Sequence, residues 1–225
     1  MKLPVAILAS GSGTNLQAII DAVRAGRLGA DLRLVLSDNP KARALERAKA
    51  AAVPTAVVTK KDFPIREEFD KEVVRLLKAA GVELVVLAGF MRLVTKPFLD
   101  AFPMRIINIH PSLLPAFPGL DVQRKAVEHG VKFSGCTVHF VDEGLDSGPI
   151  IMQAVVPVLE GDDAEALKAR ILEKEHVIYP AAIQCFAEGR VKVRERHVFI
   201  EGARNPEGAL FNPLSGFLAN ERRGR

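Results

Sequence analysis

Tryptophan is absent from the 225 residues, tyrosine occurs once and cysteine twice. The scarcity of large flat rings leaves few platforms on which nucleic-acid bases could stack. Two cysteines, Cys136 and Cys185, cannot form a disulfide framework, so they read as reduced thiols of a cytoplasmic protein. No Cys/His cluster has zinc spacing, and the acidic stretch from Asp142 to Asp146 fails the EF-hand pattern, so no metal is expected. No apolar run approaches the roughly 18 residues needed to cross a bilayer, so no membrane association is expected. The apolar stretch at the amino terminus is too short for a secretion signal and runs into a glycine-rich turn, which suits a first buried strand. Repeats and low-complexity segments are also missing. The charge excess is small, 31 basic against 27 acidic residues. It suits anionic small substrates and does not call for nucleic acid.

What is present is an alternation of strand and helix signals. Pro4–Ala9 is a continuous apolar run, the mark of a strand buried on both faces. Residues 15–25 follow with helical spacing, Asn15 being a candidate N-cap. Strands are expected over 32–36, 55–58, 83–87 and 105–109. The intervening helices include one capped by Asp38 and starting near Pro40, and one bearing Phe69, Val73, Leu76 and Leu77. Units of about 30 residues of this kind build an α/β fold, a Rossmann-like, open, mostly parallel twisted sheet with helices on both faces. From residue 133 the period changes to two, with Cys136, Val138 and Phe140 alternating with Thr137 and His139. A further strand over 148–158 predicts a mixed edge to the sheet. Residues 164–187 are helical, with Pro180 expected to kink or divide that helix, and 191–200 form a last strand or hairpin. Residues 202–225 hold six Gly or Pro in 24 positions and end in a basic tail, an extension expected to be partly flexible.

Ligands of such sheets bind beyond the carboxyl ends of the strands, and three segments carry polar side chains there. Ser10-Gly11-Ser12-Gly13-Thr14-Asn15 joins the first strand to the first helix, where glycines and free helix N–H groups suit a phosphate. It lacks the lysine of a P-loop, and Leu16 stands where a dinucleotide fingerprint has its third glycine. Asn108-Ile109-His110-Pro111 ends a strand and puts an amide and an imidazole on one side of it, able to polarise a carbonyl and shuttle a proton. Asp142 to Pro149 is an acidic loop that either only turns or faces a carboxylate to His110. Ser112 lacks the nucleophile-elbow context of a hydrolase. Arg92, among the apolar residues of Gly89–Val94, needs a partner if it is buried. Glu175 falls on the apolar stripe of the long helix, between Ile171 and Ile178, and also requires one.

Taken in this order, Ser-Gly-Ser-Gly-Thr-Asn-Leu-Gln, Ala-Gly-Phe-Met-Arg, Asn-Ile-His-Pro-Ser-Leu-Leu-Pro, Leu-Asp-Ser-Gly-Pro-Ile and Glu-His-x-Ile-Tyr-Pro resemble the phosphoribosylglycinamide formyltransferases over nearly the whole chain. The resemblance implies an α/β formyltransferase domain over 1–201. It implies formyl transfer from the cosubstrate 10-formyltetrahydrofolate to the amine of glycinamide ribonucleotide in purine biosynthesis, without a metal. Asn108, His110 and Asp146 would be catalytic. Asn108 and protonated His110 would stabilise the oxyanion of a tetrahedral intermediate, and Asp146 would favour the imidazolium. Gly13, Thr14, Asn15, Leu172, Glu173, Lys174 and Glu175 would hold glycinamide ribonucleotide. Arg66, Met91, Arg92, Leu93, Val94, Asn108, Asp142, Glu143, Gly144, Leu145 and Asp146 would hold folate. Oligomeric state is left open. The alternatives are a tRNA formyltransferase or a formyltetrahydrofolate hydrolase, for whose extra domains the chain leaves no room, and a phosphate-binding Rossmann-like regulator, which does not account for the Asn108, His110 and Asp146 set.

Overall fold

The computed structural model describes residues 1–204 and 210; apart from 202–204 and 210, the expected carboxyl-terminal extension lies outside the described residues. The elements run β1 (Leu3–Leu8), α1 (Thr14–Arg24), β2 (Ala30–Ser37), α2 (Arg43–Ala50), β3 (Thr55–Val57), α3 (Arg66–Ala79), β4 (Leu84–Leu87), α4 (Lys96–Ala101), β5 (Ile106–His110), α5 (Val122–Glu128), β6 (Phe133–Phe140), β7 (Ile150–Pro157), α6 (Ala164–Ala187), β8 (Val191–Arg194) and β9 (His197–Ile200). Seven strands form one sheet in the order β3-β2-β1-β4-β5-β6-β7. β1 to β5 pair in parallel, and β6 and β7 are antiparallel, giving the expected mixed edge. β8 and β9 make a separate hairpin.

Each central strand contributes to two cores, because successive side chains leave opposite faces. Val5 and Ile7 of β1 pack with Leu16 and Ile19 of α1, Leu45 of α2 and Ile171 of α6. Ala6 and Leu8 meet Phe69, Val73 and Leu77 of α3 and Phe98 of α4 on the other face. This two-sided cover makes the strand sequences continuously apolar. It also reaches β6, where seven of eight residues are buried. The period-two alternation there therefore does not separate a core side from a solvent side; Thr137 and His139 are buried as fully as their apolar neighbours.

Several local expectations need correcting. Asn15 is not an N-cap: α1 starts one residue earlier, and Gly13, with φ +69°, occupies the cap position. Asp38 caps nothing, because α2 starts at Arg43 behind Ala42. Pro180 does not divide α6, which runs unbroken for 24 residues. Helices α4 and α5 were not expected at all.

The order of the strands reverses between β1 and β4, so their carboxyl ends flank the crevice of an open α/β sheet. The loops leaving these strands are tied together there. Ser10 N–H donates to the Gly89 carbonyl, and Met91 N–H donates to Ser10 Oγ, both at 3.0 Å.

Candidate active site

The glycine-rich turn is held from the α2 side. Ala44 N–H donates to the Gly11 carbonyl, and Arg47 Nε donates to the Ser12 carbonyl at 2.9 Å. Gly13 is required twice over: its φ is left-handed, and a Cβ there would lie 2.7 Å from Ala44 Cα. No side chain caps α1, so its leading N–H groups point free of intrahelical partners toward the crevice. Asn15 lies in the first turn with its side chain turned inward, and Nδ2 donates to Glu175 Oε2 at 2.7 Å. The partner that Glu175 needed is therefore an amide and not a cation. Glu175 is 7% exposed. Burial pushes its carboxyl above the ordinary glutamate range, against the opposing effect of the Asn15 bond. Asn15 Oδ1 is buried and unpaired. Along the same helix Leu172 is half-buried, while Glu173 and Lys174 are exposed.

The segment after β4 joins the amino end of α3. Arg66 donates from Nε and Nη2 to the Leu93 carbonyl at 3.0 and 2.6 Å. Arg92 finds its partner in an aromatic ring, its guanidinium carbon standing 3.9 Å from the centroid of Phe69. Asp70, buried beneath, accepts from Thr95 N–H. Met91 and Leu93 are left exposed between these anchors.

The third cluster lies at the carboxyl end of β5. Asn108 and His110 lie two residues apart on β5, and the loop after β6 brings Asp146 onto His110. Asp146 Oδ2 is 3.3 Å from His110 Nδ1 and accepts from Gly119 N–H at 2.9 Å. The other imidazole nitrogen, Nε2, is 2.8 Å from the Phe117 carbonyl. Both ring nitrogens thus face acceptors, the arrangement that an imidazolium with its two N–H donors satisfies in full. Asp142 Oδ1 closes the loop by accepting from Gly144 N–H and Ser147 Oγ. Glu143, Gly144 and Leu145 are exposed on it. Ser112 is structural, donating to the Ala116 and Phe117 carbonyls.

Two contributors escaped the sequence reading. One is the 117–119 stretch, which embraces His110 through a carbonyl and Asp146 through an N–H. The other is His139, 2% exposed. It pairs opposite Asn108 across the β5–β6 ladder, with Nε2 3.3 Å from Asn108 Nδ2 and 3.7 Å from Asp146 Oδ1. The available signal was a histidine inside an otherwise apolar strand that leads into the acidic loop. Among the described residues no group of three or more His, Cys, Asp or Glu could hold a metal ion, and no helix is long and apolar enough to cross a membrane.

The site is therefore an anion-ready turn, a carbonyl-polarising amide with an imidazole–carboxylate pair, and a half-apolar wall carrying two arginines, all along one edge of the sheet. Known proteins are similar to the chain over most of its length. The trifunctional purine biosynthetic protein adenosine-3 of Drosophila pseudoobscura pseudoobscura is 52% identical over 190 residues, 84% of this chain; the match spans only 14% of that protein. The phosphoribosylglycinamide formyltransferase of Escherichia coli (strain K12) is 43% identical over 202 residues, 90% of this chain and 95% of that protein. The crystal structure of glycinamide ribonucleotide transformylase 1 from Symbiobacterium toebii superposes with a TM-score of 0.87 at 56% identity, covering 88% of this chain and 94% of that one. The sequence profile of the formyl transferases matches residues 3–183, from the first strand into the last long helix, and the chain belongs to the formyl transferase family.

Proposed function

We propose that the protein transfers the formyl group of 10-formyltetrahydrofolate to the amine of glycinamide ribonucleotide, a step of purine biosynthesis in the cytoplasm. The observation that carries this reading is the His110–Asp146 contact, with Asn108 two residues earlier on β5, at the same carboxyl end of the sheet as the turn at Gly13–Asn15. The first set suits an acyl carbon and the second a phosphoribosyl amine. Gly13, Thr14 and Asn15 offer N–H groups to the phosphate. Glu175, with Leu172, Glu173 and Lys174 on the same helix, faces the rest of glycinamide ribonucleotide. Arg66 and Arg92 support the Met91–Val94 wall against folate, and Asp142–Asp146 closes over its ring.

When the amine adds to the formyl carbon, negative charge develops on the formyl oxygen. An Asn108 N–H and the His110 Nε2–H, released from the Phe117 carbonyl, stabilise it. Asp146 orients the imidazole through Nδ1. As the C–N bond to folate breaks, His110 gives its Nε2 proton to the folate nitrogen, and the neutral imidazole then takes the proton lost by the amine, which restores the starting form. The test is a purified formyl-transfer assay in which glycinamide ribonucleotide, water and tRNA compete as acceptors. Formylation of glycinamide ribonucleotide alone is expected. Deformylation to water, or transfer to tRNA in its place, would sink the reading.

A further inference from the structure

An asparagine can stabilise an oxyanion only with its NH2 end, and nothing in the side chain's shape decides which end faces the substrate. At Asn108 the decision falls to His139. This residue sits where the β6–β7 register shifts, between Val138 and His139, an irregularity of the kind that re-aims a side chain. Its Nδ1 lies 2.8 Å from the Phe140 carbonyl oxygen. A carbonyl only accepts, so Nδ1 carries a hydrogen. Its Nε2 lies 3.3 Å from Asn108 Nδ2. The groups facing the ring are Asp146, His110 and Asp142. Burial holds the imidazole below the ordinary histidine range, outweighing the opposing effects of the Phe140 bond and the two carboxylates. A neutral ring with hydrogen on Nδ1 has a bare Nε2. A bare nitrogen accepts, so the amide must present its NH2 end to it.

We infer that His139, as the Nδ1–H tautomer anchored on the Phe140 carbonyl, is a positioning residue that locks the Asn108 amide so that its second N–H is available to the reacting oxygen. This rests on the formyl-transfer reading, in which that N–H is used. A charged His139 would undo the arrangement: Nε2 would become a donor, and Asn108 would have to turn its oxygen inward.

Four measurements test this. In the wild-type protein, 15N spectra should place His139 Nδ1 in the protonated range and Nε2 in the unprotonated range near neutral pH; a protonated Nε2 overturns the proposal. His139→Leu should lower kcat about 10- to 100-fold, somewhat less than outright loss of an oxyanion donor, with KM for both substrates within about threefold. His139→Gln can set its amide oxygen where Nε2 lies and should recover kcat to within about fivefold of wild type, using the hydrogen-bond capacities of an amide. In an Asn108→Ala background His139→Leu should add less than about threefold, because coupled groups are non-additive. Equal losses in Leu and Gln, unchanged kcat in Leu, or additive losses with Asn108→Ala would each refute the positioning role. Should His139→Leu fail to fold, the spectra and the Gln variant still decide. A wild-type protein unable to formylate glycinamide ribonucleotide refutes the functional reading; an active one indifferent to His139 refutes only this inference.

Discussion

Replacing Asp146 by asparagine tests its charge with almost no change of shape, and the backbone makes asparagine the right choice. Asp146 has φ +50°, a conformation that Asn and Asp tolerate better than other side chains bearing a Cβ. Alanine would add backbone strain to the loss of the carboxylate. Asp146 Oδ2 is 3.3 Å from His110 Nδ1 and also holds Gly119 N–H. At that separation two unit charges attract by about 5 kcal/mol at an effective dielectric of about 20, before desolvation is subtracted. A hydrogen bond to a charged group has a net value of about 1.5–3 kcal/mol. In the variant an amide oxygen in the place of Oδ2 can keep both contacts, and the NH2 then takes the place of Oδ1 beside His139 Nε2. His110 Nδ1 keeps a neutral acceptor but loses the carboxylate charge, which is the interaction the imidazolium uses. If the whole lost term applies when the oxyanion forms, kcat falls by about 10- to 150-fold. Folate binding should change by less than about threefold, since the lost interaction belongs to the transition state. Steady-state formyl transfer, with folate titrated separately and a thermal melt to confirm folding, measures all three. A folded variant with kcat within about threefold of wild type would show that Asp146 only shapes its loop, and the mechanism would be wrong.

Glu175→Gln keeps the acceptor for Asn15 and removes a buried charge. Because burial raises the folded-state pKa above 4.5, wild-type stability from this group is complete below that value and is lost as pH rises through the folded-state pKa. The variant should therefore melt about 2–4 °C higher at pH 7 with a flatter pH dependence above 4.5, while KM for glycinamide ribonucleotide rises about 10- to 100-fold; a lower melting temperature at pH 7 contradicts the first claim. Gly13→Ala meets both the left-handed backbone and Ala44, and should lower Tm by about 3–8 °C and weaken glycinamide ribonucleotide binding more than folate binding. Unchanged affinity for the ribonucleotide would place its phosphate elsewhere. Arg92→Ala loses the stack on Phe69 and should weaken folate binding by about 5- to 30-fold, with the ribonucleotide affinity within about twofold; equal losses in both titrations would remove Arg92 from the folate wall.

The parallel part of the fold was legible because β1, β2 and β4 are short apolar runs and α1 and α3 carry clear 3.6-residue stripes, and α6 was read with its observed ends. The missed helices are six and seven residues long, too short for a periodicity to declare itself. Asn15 looked like a cap because asparagine before an apolar run usually is one; the bond to Glu175, 160 positions away, took its side chain instead. Asn108 and His110 could be paired from their spacing alone. His139 could not, because its partner was set by the antiparallel β5–β6 register, and an alternating pattern gave no hint that both faces of β6 would be covered. Phe117 and Gly119 act through backbone atoms, which carry no sequence signature.

The one tyrosine has a consequence for how the protein can be watched. Tyr179 is fully buried, and its hydroxyl donates to the Leu87 carbonyl at 2.7 Å and lies 3.2 Å from that of Ile107, on the two strands that lead to the folate wall and to Asn108. Desolvation and the nearby Glu175 hold its phenol well above the ordinary tyrosine range. With no tryptophan in the chain, nearly all absorption and emission at wavelengths longer than the phenylalanine bands comes from this single ring at the β4–β5 joint. An alkaline titration should therefore show no tyrosinate until that joint opens, and then show it in one step. Below that point the protein is close to transparent where pteridines absorb, so folate turnover can be followed optically against almost no background from the enzyme.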